Sequence, residues 1–111
     1  MTAAQAVERL MRGGGFSARE LSDALNATPR TIERWRTEGT HPQRETRRRL
    51  ADLLDLDRHL LETFGEQDAA RAWLGAPSRY LGGLRPIEAV RVGRFDRVEA
   101  ALEALDSGVF L

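Results

Sequence analysis

Residues 16–42, with the sequence FSARELSDALNATPRTIERWRTEGTHP, decide the fold. Ser17 and Glu20 have the spacing of a capping box, the pattern that marks the first turn of a helix. Thr28 is suited to cap a second helix, and Gly39 is suited to end it. Only a short turn is left between the two helices. The stretch therefore predicts two short helices in the arrangement of a helix-turn-helix.

The second helix of this pair has an apolar and a polar face. At about 100° per residue, Ile32 and Trp35 point to the same side and polar residues lie opposite them. In a helix-turn-helix the second helix lies in the major groove of DNA, where arginine binds guanine through two hydrogen bonds. Neighbouring cations and hydroxyls would hold phosphates. The predicted base contacts are Arg30, Arg34 and Thr37, and the predicted phosphate contacts are Thr28, Thr31, Arg36, Thr40, Arg44 and Arg47.

The charge of the chain is unevenly distributed. Its 17 cationic residues, all arginine, are balanced by 17 acidic residues, which excludes a uniformly basic nucleic-acid-binding protein. Residues 28–50 nevertheless contain seven arginines against three acidic residues, whereas residues 59–111 contain six against eight. The two parts therefore suit different partners. The alternative interpretation is that the arginines form ordinary solvated helix faces.

The rest of the chain is also helical in pattern, and no segment alternates as a strand would. A first helix is predicted over residues 3–11 and is ended by the glycines at 13–15. A long helix is predicted from residue 43 to Gly65, with the apolar stripe Leu50, Leu53, Leu54, Leu60, Leu61 and Phe64. Three further helices are predicted over residues 66–74, 86–91 and 94–106.

These elements predict an all-α fold in two parts. An N-terminal helix-turn-helix bundle, residues 1–56, is joined by the long helix to a small C-terminal helical subdomain, residues 57–111. With 111 residues, the chain can bury one shared core but cannot form two independent domains of ordinary size.

Several function classes are excluded by what the sequence lacks. It has no cysteine, which removes disulfides, zinc–thiolate sites and thiol nucleophiles. It has no Gly-rich phosphate loop and no His-Glu-x-x-His, and His41 and His59 stand alone, so we expect neither an enzyme nor a bound cofactor. No apolar stretch approaches the length of a membrane span, and the first residues lack the apolar segment of a secretion signal. We expect a cytoplasmic protein with no membrane contact.

The sequence ends on three apolar residues, Val109, Phe110 and Leu111. Two interpretations are open: the tail folds back onto the body of the protein, or it enters a cleft of a partner. The exposed face of the last predicted helix would flank such a contact. That face is predicted to carry Arg94, Arg97, Ala101 and Asp106.

The N-terminal pattern resembles a known family. Trp35, Gly39 and Pro42 form the W-x-x-x-G-x-x-P sequence that ends the recognition helix of Xre-type helix-turn-helix proteins. The resemblance covers residues 16–54 and implies binding to operator DNA. It also implies a homodimer, because a single helix-turn-helix reads only a few base pairs.

The C-terminal half resembles the toxin-binding domain of Xre/MbcA/ParS-type antitoxins. This resemblance rests on Trp73 and on the stretch that holds Pro77, Leu81, Gly82, Gly83 and Pro86. It implies a partner toxin with a RES domain, which consumes NAD. It further implies that the antitoxin blocks the NAD pocket of the toxin, and that the complex represses its own operon. Together with the apolar tail and the exposed face of the last helix, this gives the predicted toxin-binding residues Trp73, Arg94, Arg97, Val109, Phe110 and Leu111. The alternative for Arg94 and Arg97 is that they are ordinary solvated helix charges.

Two other functions remain open. A stand-alone Xre/Cro-like repressor without a toxin partner needs only the N-terminal half and a surface for dimerisation. A protein-binding adaptor whose helix-turn-helix no longer contacts DNA is also possible, because Glu33 and Glu38 repel phosphate from within the second helix. A RES-domain protein encoded beside this chain would separate the antitoxin from the repressor, and salt-dependent DNA binding would exclude the adaptor.

Overall fold

The computed structural model describes residues 1–108, and within this range it contains seven α-helices and no strand. The predicted all-α fold is confirmed, and the predicted helix bounds differ from the observed ones by one residue at most. The helices are α1 (Ala3–Arg12), α2 (Ala18–Leu25), α3 (Pro29–Glu38), α4 (Arg44–Phe64), α5 (Gln67–Leu74), α6 (Pro86–Arg91) and α7 (Phe95–Asp106).

The first three helices begin where the capping signals place them. The Gln5 N–H donates to Thr2 Oγ1 and the Glu20 N–H donates to Ser17 Oγ, each over 3.1 Å. In both capping boxes the side chain of the third helical residue accepts a hydrogen bond from the cap residue's own N–H. The hydroxyl of Thr28 accepts from the third residue of α3 in the same way. These bonds satisfy backbone donors that the first turn of a helix leaves unpaired.

The turn between α2 and α3 reverses the chain within three residues. Asn26 ends α2 in the left-handed conformation, with φ of 50°, which asparagine tolerates better than most side chains. The Ser22 hydroxyl donates to the Ala27 carbonyl at 2.6 Å and holds the turn against α2. As a result α3 packs on α1 and α2, buries Ile32 and Trp35, and leaves its polar face outside.

Both predicted parts of the chain share one hydrophobic core. Buried side chains from Ala6 to Leu102 form a single cluster, and α4 contacts α1, α2, α5 and α7. The predicted boundary between residues 56 and 57 falls inside α4. Outside the core, Arg91 of α6 pairs with Asp23 of α2 at 2.7 Å. The α2–α3 pair is therefore packed directly against the C-terminal half.

The prediction that Leu61 belongs to the buried stripe of α4 is wrong. Its side chain is 53% exposed, whereas Leu56, which lies outside the predicted stripe, is fully buried. Apolar spacing identifies the amphipathic face of a helix, but its neighbours decide which flank is covered. Here α7 contacts His59 and Thr63, on the Leu56 side of α4, and Leu61 is left facing solvent.

The predicted exposure of Ala101 is also wrong. This residue is only 3% exposed, because α7 packs along α4 and turns Val98, Ala101 and Leu102 towards the core. The small side chain allows the two helices to approach at this point. Arg94, Arg97 and Asp106 are exposed, as expected for that face of α7.

The glycines after α1 form a packing site as well as a helix end. Gln67 of α5 donates from Nε2 to the carbonyls of Arg12 (2.7 Å) and Gly13 (2.9 Å), which α1 leaves unpaired. A Cβ atom at Gly14 would lie 2.9 Å from the Leu10 carbonyl oxygen and 2.9 Å from the Phe16 ring. Only glycine fits there without displacing its neighbours.

Arg71 of α5 also contacts the residues that follow these glycines. Its Nη2 donates to Glu20 Oε2 at 3.0 Å, and its guanidinium lies over the Phe16 ring, 5.5 Å from the centroid. Burial raises the pKa of Glu20, but the hydrogen bonds from Arg71 and from the Ser17 N–H outweigh it, so the pKa lies below its usual value. Glu20 therefore completes a capping box and also joins α2 to α5.

None of the helices in residues 1–108 combines the length and apolar composition needed to cross a membrane.

Candidate functional site

The exposed face of α3 borders an open groove of about 430 Å³. The groove lies between the start of α3 and the segment that leads into α4. It is lined by, among others, Thr28, Thr31, Arg34, Thr40, His41 and Gln43. The Thr28 hydroxyl donates to the Thr31 hydroxyl at 2.9 Å, which fixes both side chains on this rim. Four of the predicted DNA-contacting residues therefore lie together.

Arg34 is held on the α3 surface by an ion pair that is easily exchanged. Its Nε donates to Glu38 Oε2 at 2.8 Å, and both side chains are more than half exposed. Pairs this exposed stabilise a protein by about 0–1 kcal/mol, so another acceptor can replace the carboxylate at small cost. Thr37 donates to the Glu33 carbonyl at 3.0 Å, and its oxygen can still accept a hydrogen bond. Arg30 is exposed and forms no ion pair with residues 1–108.

Two of the predicted phosphate contacts do not line this groove. Arg36 Nη2 pairs with Glu8 Oε2 at 3.1 Å, so its guanidinium lies against α1. Arg47 lines a separate groove beside Met1 and Leu50. Arg44 is exposed at the first position of α4. The structure therefore groups Thr28, Thr31 and Arg34, and spreads the other predicted cations over neighbouring surfaces.

Arg49, from the same basic stretch, has a structural contact instead. Its Nη1 donates to the Ala24 carbonyl at 3.3 Å, at the end of α2. A Cβ atom on Gly93, which has a φ of +78°, would lie 2.6 Å from that Nη1. The Arg49 side chain thus fills the space between α2 and the α6–α7 turn. Nothing in the charge pattern distinguished it from the exposed arginines around it.

A second candidate surface lies on the C-terminal half. Leu84 and Val92, here called the apolar patch, are 60% and 68% exposed. Leu84 and Val92 line a cavity of about 280 Å³ together with Leu81, Glu88, Ala89, Arg94 and Arg97. The cavity is mainly apolar, with charged groups at its edge. The patch was not predicted, but two of the predicted toxin-binding residues, Arg94 and Arg97, lie beside it.

Of the other predicted toxin-binding residues, Trp73 is described by the structure and does not line this cavity. It is half-buried, with its ring 5.6 Å from that of Phe64. The tail, Val109, Phe110 and Leu111, lies outside the described residues.

An acidic groove of about 540 Å³ is lined by residues of α4 and α7. Its acidic residues are Asp52, Asp55, Glu62, Asp96 and Glu99, with Arg58 and His59 as the basic groups. His59 Nδ1 lies 2.5 Å from Glu99 Oε2, and its Nε2 lies 2.8 Å from Asp106 Oδ2.

These contacts shift the pKa values of both His59 and Asp106. Burial lowers the pKa of His59, but the hydrogen bonds to Asp106 and Glu99 outweigh it, and the net pKa is raised above 6.5. The hydrogen bonds from His59 and Thr63 lower the pKa of Asp106. Both groups are therefore stabilised in their charged forms, and together they hold the last turn of α7 on α4.

Comparison with known proteins identifies the family. Residues 59–108 match the model of the antitoxin Xre/MbcA/ParS C-terminal toxin-binding domain. The chain is 34% identical over 110 residues to the mycobacterial cidal antitoxin MbcA of Mycobacterium tuberculosis, a match that covers 99% of this chain and 93% of the relative. MbcA of Mycobacterium bovis matches to the same extent. This chain belongs to the Xre/MbcA/ParS antitoxin family.

A solved structure supports the same assignment. The chain superposes on a chain of the crystal structure of the M. tuberculosis MbcT–MbcA toxin–antitoxin complex with a TM-score of 0.76 and 32% identity, covering 97% of this chain and 96% of that one. Like its relatives, this Xre/MbcA/ParS member is an antitoxin rather than an enzyme. The matched domain begins at residue 59, inside α4, and contains both the apolar patch and the His59 contacts.

Proposed function

We propose that this antitoxin neutralises a partner toxin by direct binding through its C-terminal half, residues 57–111. The observation that carries the proposal is the match of residues 59–108 to a toxin-binding domain. Whole-chain similarity to an antitoxin that was crystallised with its toxin, MbcT, supports it. The proposed contact residues are Trp73, Arg94 and Arg97 together with the tail Val109, Phe110 and Leu111.

A co-expression assay tests this function. The protein encoded by the reading frame beside that of this chain is produced in a bacterial host, alone and together with the full antitoxin. We expect that protein to stop growth when alone and the antitoxin to restore growth. If growth stops equally in both cases, the antitoxin function proposed for this chain is wrong.

The proposal extends to the chemistry of the toxin. We propose a RES-domain toxin that consumes NAD, and an antitoxin that covers its NAD pocket. The support is the sequence resemblance around Trp73 and the Gly82–Gly83 turn. The purified partner should consume NAD, and a stoichiometric amount of the antitoxin should stop this consumption. If the partner stops growth but the NAD concentration stays constant, the toxin belongs to a different class.

We further propose that the antitoxin binds its own operator, in the cytoplasm, as a homodimer with α3 in the major groove. The exposed polar face of α3 and the hydroxyl-lined groove beside it support this proposal. A gel-shift series on the DNA upstream of the reading frame should show affinity that falls as the salt concentration rises, because phosphate contacts release bound counterions. Absence of any retarded band at low salt would leave the helix-turn-helix without a role in DNA binding.

A further inference from the structure

We infer that the apolar patch of Leu84 and Val92 is the anchor point for the toxin, where it receives an apolar side chain with a carboxylate beside it. This inference rests on the proposed function. It adds the place at which the partner docks and the chemistry of the partner surface. Leu84 and Val92 belong to the stretch that resembles the toxin-binding domain, but neither is among the predicted toxin-contacting residues.

The exposure of the patch is built into the local backbone. Within residues 78–84 the Ser78 N–H donates to the Leu84 carbonyl at 2.9 Å, and the Gly83 N–H donates to the Ser78 carbonyl at 2.8 Å. Gly82 and Gly83 have φ values of +69° and +93°, which closes this loop tightly. Leu81 is only 4% exposed and anchors the loop in the protein. Leu84 is thus held outward by a closed loop.

A preformed apolar surface of this kind favours binding. A partner that docks on it does not have to order the loop first, and that ordering would reduce affinity. The largest exposed apolar patch of a monomer is often an interaction site. The cavity beside Leu84 and Val92 gives an inserted side chain walls on several sides.

Charge at the edge of the cavity defines the partner more closely. Glu88 is paired with Arg85, and Arg94 is paired with Asp96 at 3.0 Å. Arg97 forms no ion pair with any residue of the described range 1–108. The edge therefore offers one available guanidinium next to an apolar cavity. A carboxylate beside an apolar side chain on the partner would complement both.

The position of the patch favours the toxin over a second copy of this chain. Its two partly exposed side chains amount to a few hundred Å² at most. A stable interface with either partner buries about 800 Å² on each side, so the patch suits the energetic centre of a larger mixed interface. Its location separates the two partners, because it lies entirely within the residues matched by the toxin-binding domain.

The test measures affinity for the protein encoded by the neighbouring reading frame, using full-length purified antitoxin variants. Leu84→Asp, Val92→Asp and Arg97→Glu alter the patch and its edge. Leu61→Asp is the matched control, because Leu61 is an equally exposed leucine of the same matched domain but does not line the cavity. We expect Leu84→Asp and Val92→Asp each to raise the Kd about 30-fold or more, as for a residue at the centre of an interface. Arg97→Glu should raise it about 10-fold, with an effect that weakens at high salt.

The control variant should bind within about threefold of wild type, and all variants should keep the wild-type melting temperature within a few degrees because every altered side chain is exposed. Leu84→Ser, a milder change, gives a second measurement should the aspartate variant fail to fold.

Three outcomes would contradict the account. If the patch variants bind with wild-type affinity, or if Leu61→Asp loses as much affinity as they do, the anchor assignment is wrong while the antitoxin function stands. If Leu84→Asp separates a dimer of the free antitoxin and leaves toxin affinity unchanged, the patch is a dimer surface and the inference is wrong. Failure of the wild-type chain to bind the neighbouring protein instead contradicts the proposed function itself.

Discussion

His59 Nε2 and Asp106 Oδ2 lie 2.8 Å apart, although the two residues are 47 positions apart in the chain. The contact joins the second half of α4 to the last residue of α7. Thr63 donates to the other oxygen of the same carboxylate at 2.9 Å. Both oxygens of the carboxylate that ends α7 are therefore bound by side chains of α4.

This contact predicts a specific dependence of stability on pH. The raised pKa of His59 means that its contribution is fully present below its ordinary pKa of 6.5 and is lost as pH rises through the higher folded-state value. The lowered pKa of Asp106 means that its contribution is present above its ordinary value of 3.8 and is lost as pH falls through the lower folded-state value. The contact is thus strongest between about pH 4 and 6.5.

We expect His59→Asn to remove this dependence. The free energy of unfolding of the wild type should exceed that of the variant by more at pH 6 than at pH 8.5, because His59 loses its charge between these pH values. Urea denaturation of both proteins at the two pH values measures it. Comparison with the variant removes the contributions of other carboxylates such as Asp57. Equal differences at pH 6 and pH 8.5 would contradict the charged His59–Asp106 pair.

Gly14→Ala should destabilise the fold by about 1–3 kcal/mol, the usual cost of overpacking. The added methyl group would meet the Leu10 carbonyl and the Phe16 ring at 2.9 Å. Gly75→Ala is the matched control, since Gly75 has a helical conformation and its nearest neighbour would lie at 3.6 Å. The control should be neutral or slightly stabilising. Chemical denaturation compares the two, and equal stability of both variants would show that the turn after α1 is loosely packed.

Arg34→Ala should lower operator affinity by about 1–3 kcal/mol and relax the preference at one base position. Arg34 lies on the hydroxyl-lined groove beside α3 and is held only by Glu38, so it is available for a guanine. Binding to a set of operators with single base changes measures this effect. A uniform loss over all operators would instead make Arg34 a phosphate contact.

Arg47→Ala should weaken binding to every sequence alike and reduce the slope of log affinity against log salt by about one unit. Arg58→Ala is the control, because Arg58 pairs with Asp55 in the acidic groove between α4 and α7. It should leave DNA affinity unchanged. An equal effect of Arg47→Ala and Arg58→Ala would mean that only the overall charge of the protein matters.

Deletion of Val109 to Leu111 should weaken toxin neutralisation and leave operator binding within a few-fold. The expectation follows from their apolar character and from their place in the sequence, after α7 and far along the chain from the arginine-rich stretch 28–50. Growth rescue and gel shift of the truncated chain measure the two activities. Full rescue by the truncated chain would show that the tail is not needed for neutralisation.

The positions of the helices could be predicted because their start signals are local. The Ser17–Glu20 and Thr28 caps act within a few residues of chain, and the structure forms each of them. Which flank of a helix is covered depends instead on distant neighbours. The exposure of Leu61 and the burial of Ala101 therefore could not be deduced from spacing, because both depend on how α7 lies on α4.

The candidate surfaces were predictable to different degrees. The polar face of α3 follows from the burial of Ile32 and Trp35, which leaves Arg34 outside by helix geometry alone. The apolar patch has no such signal. Leu81 and Leu84 lie three residues apart in a glycine-rich loop, yet one is buried and the other is exposed. A loop has no fixed period, so only its hydrogen bonds decide which leucine faces outward.

Co-purification tests most directly the central claim, which is that this antitoxin binds the protein encoded by the neighbouring reading frame. The full antitoxin, untagged, is produced together with a tagged copy of the protein encoded by the neighbouring reading frame, and the tagged protein is purified. The account predicts that the antitoxin is retained in a fixed stoichiometric ratio through size-exclusion chromatography. Recovery of the folded, tagged protein without the antitoxin would contradict it.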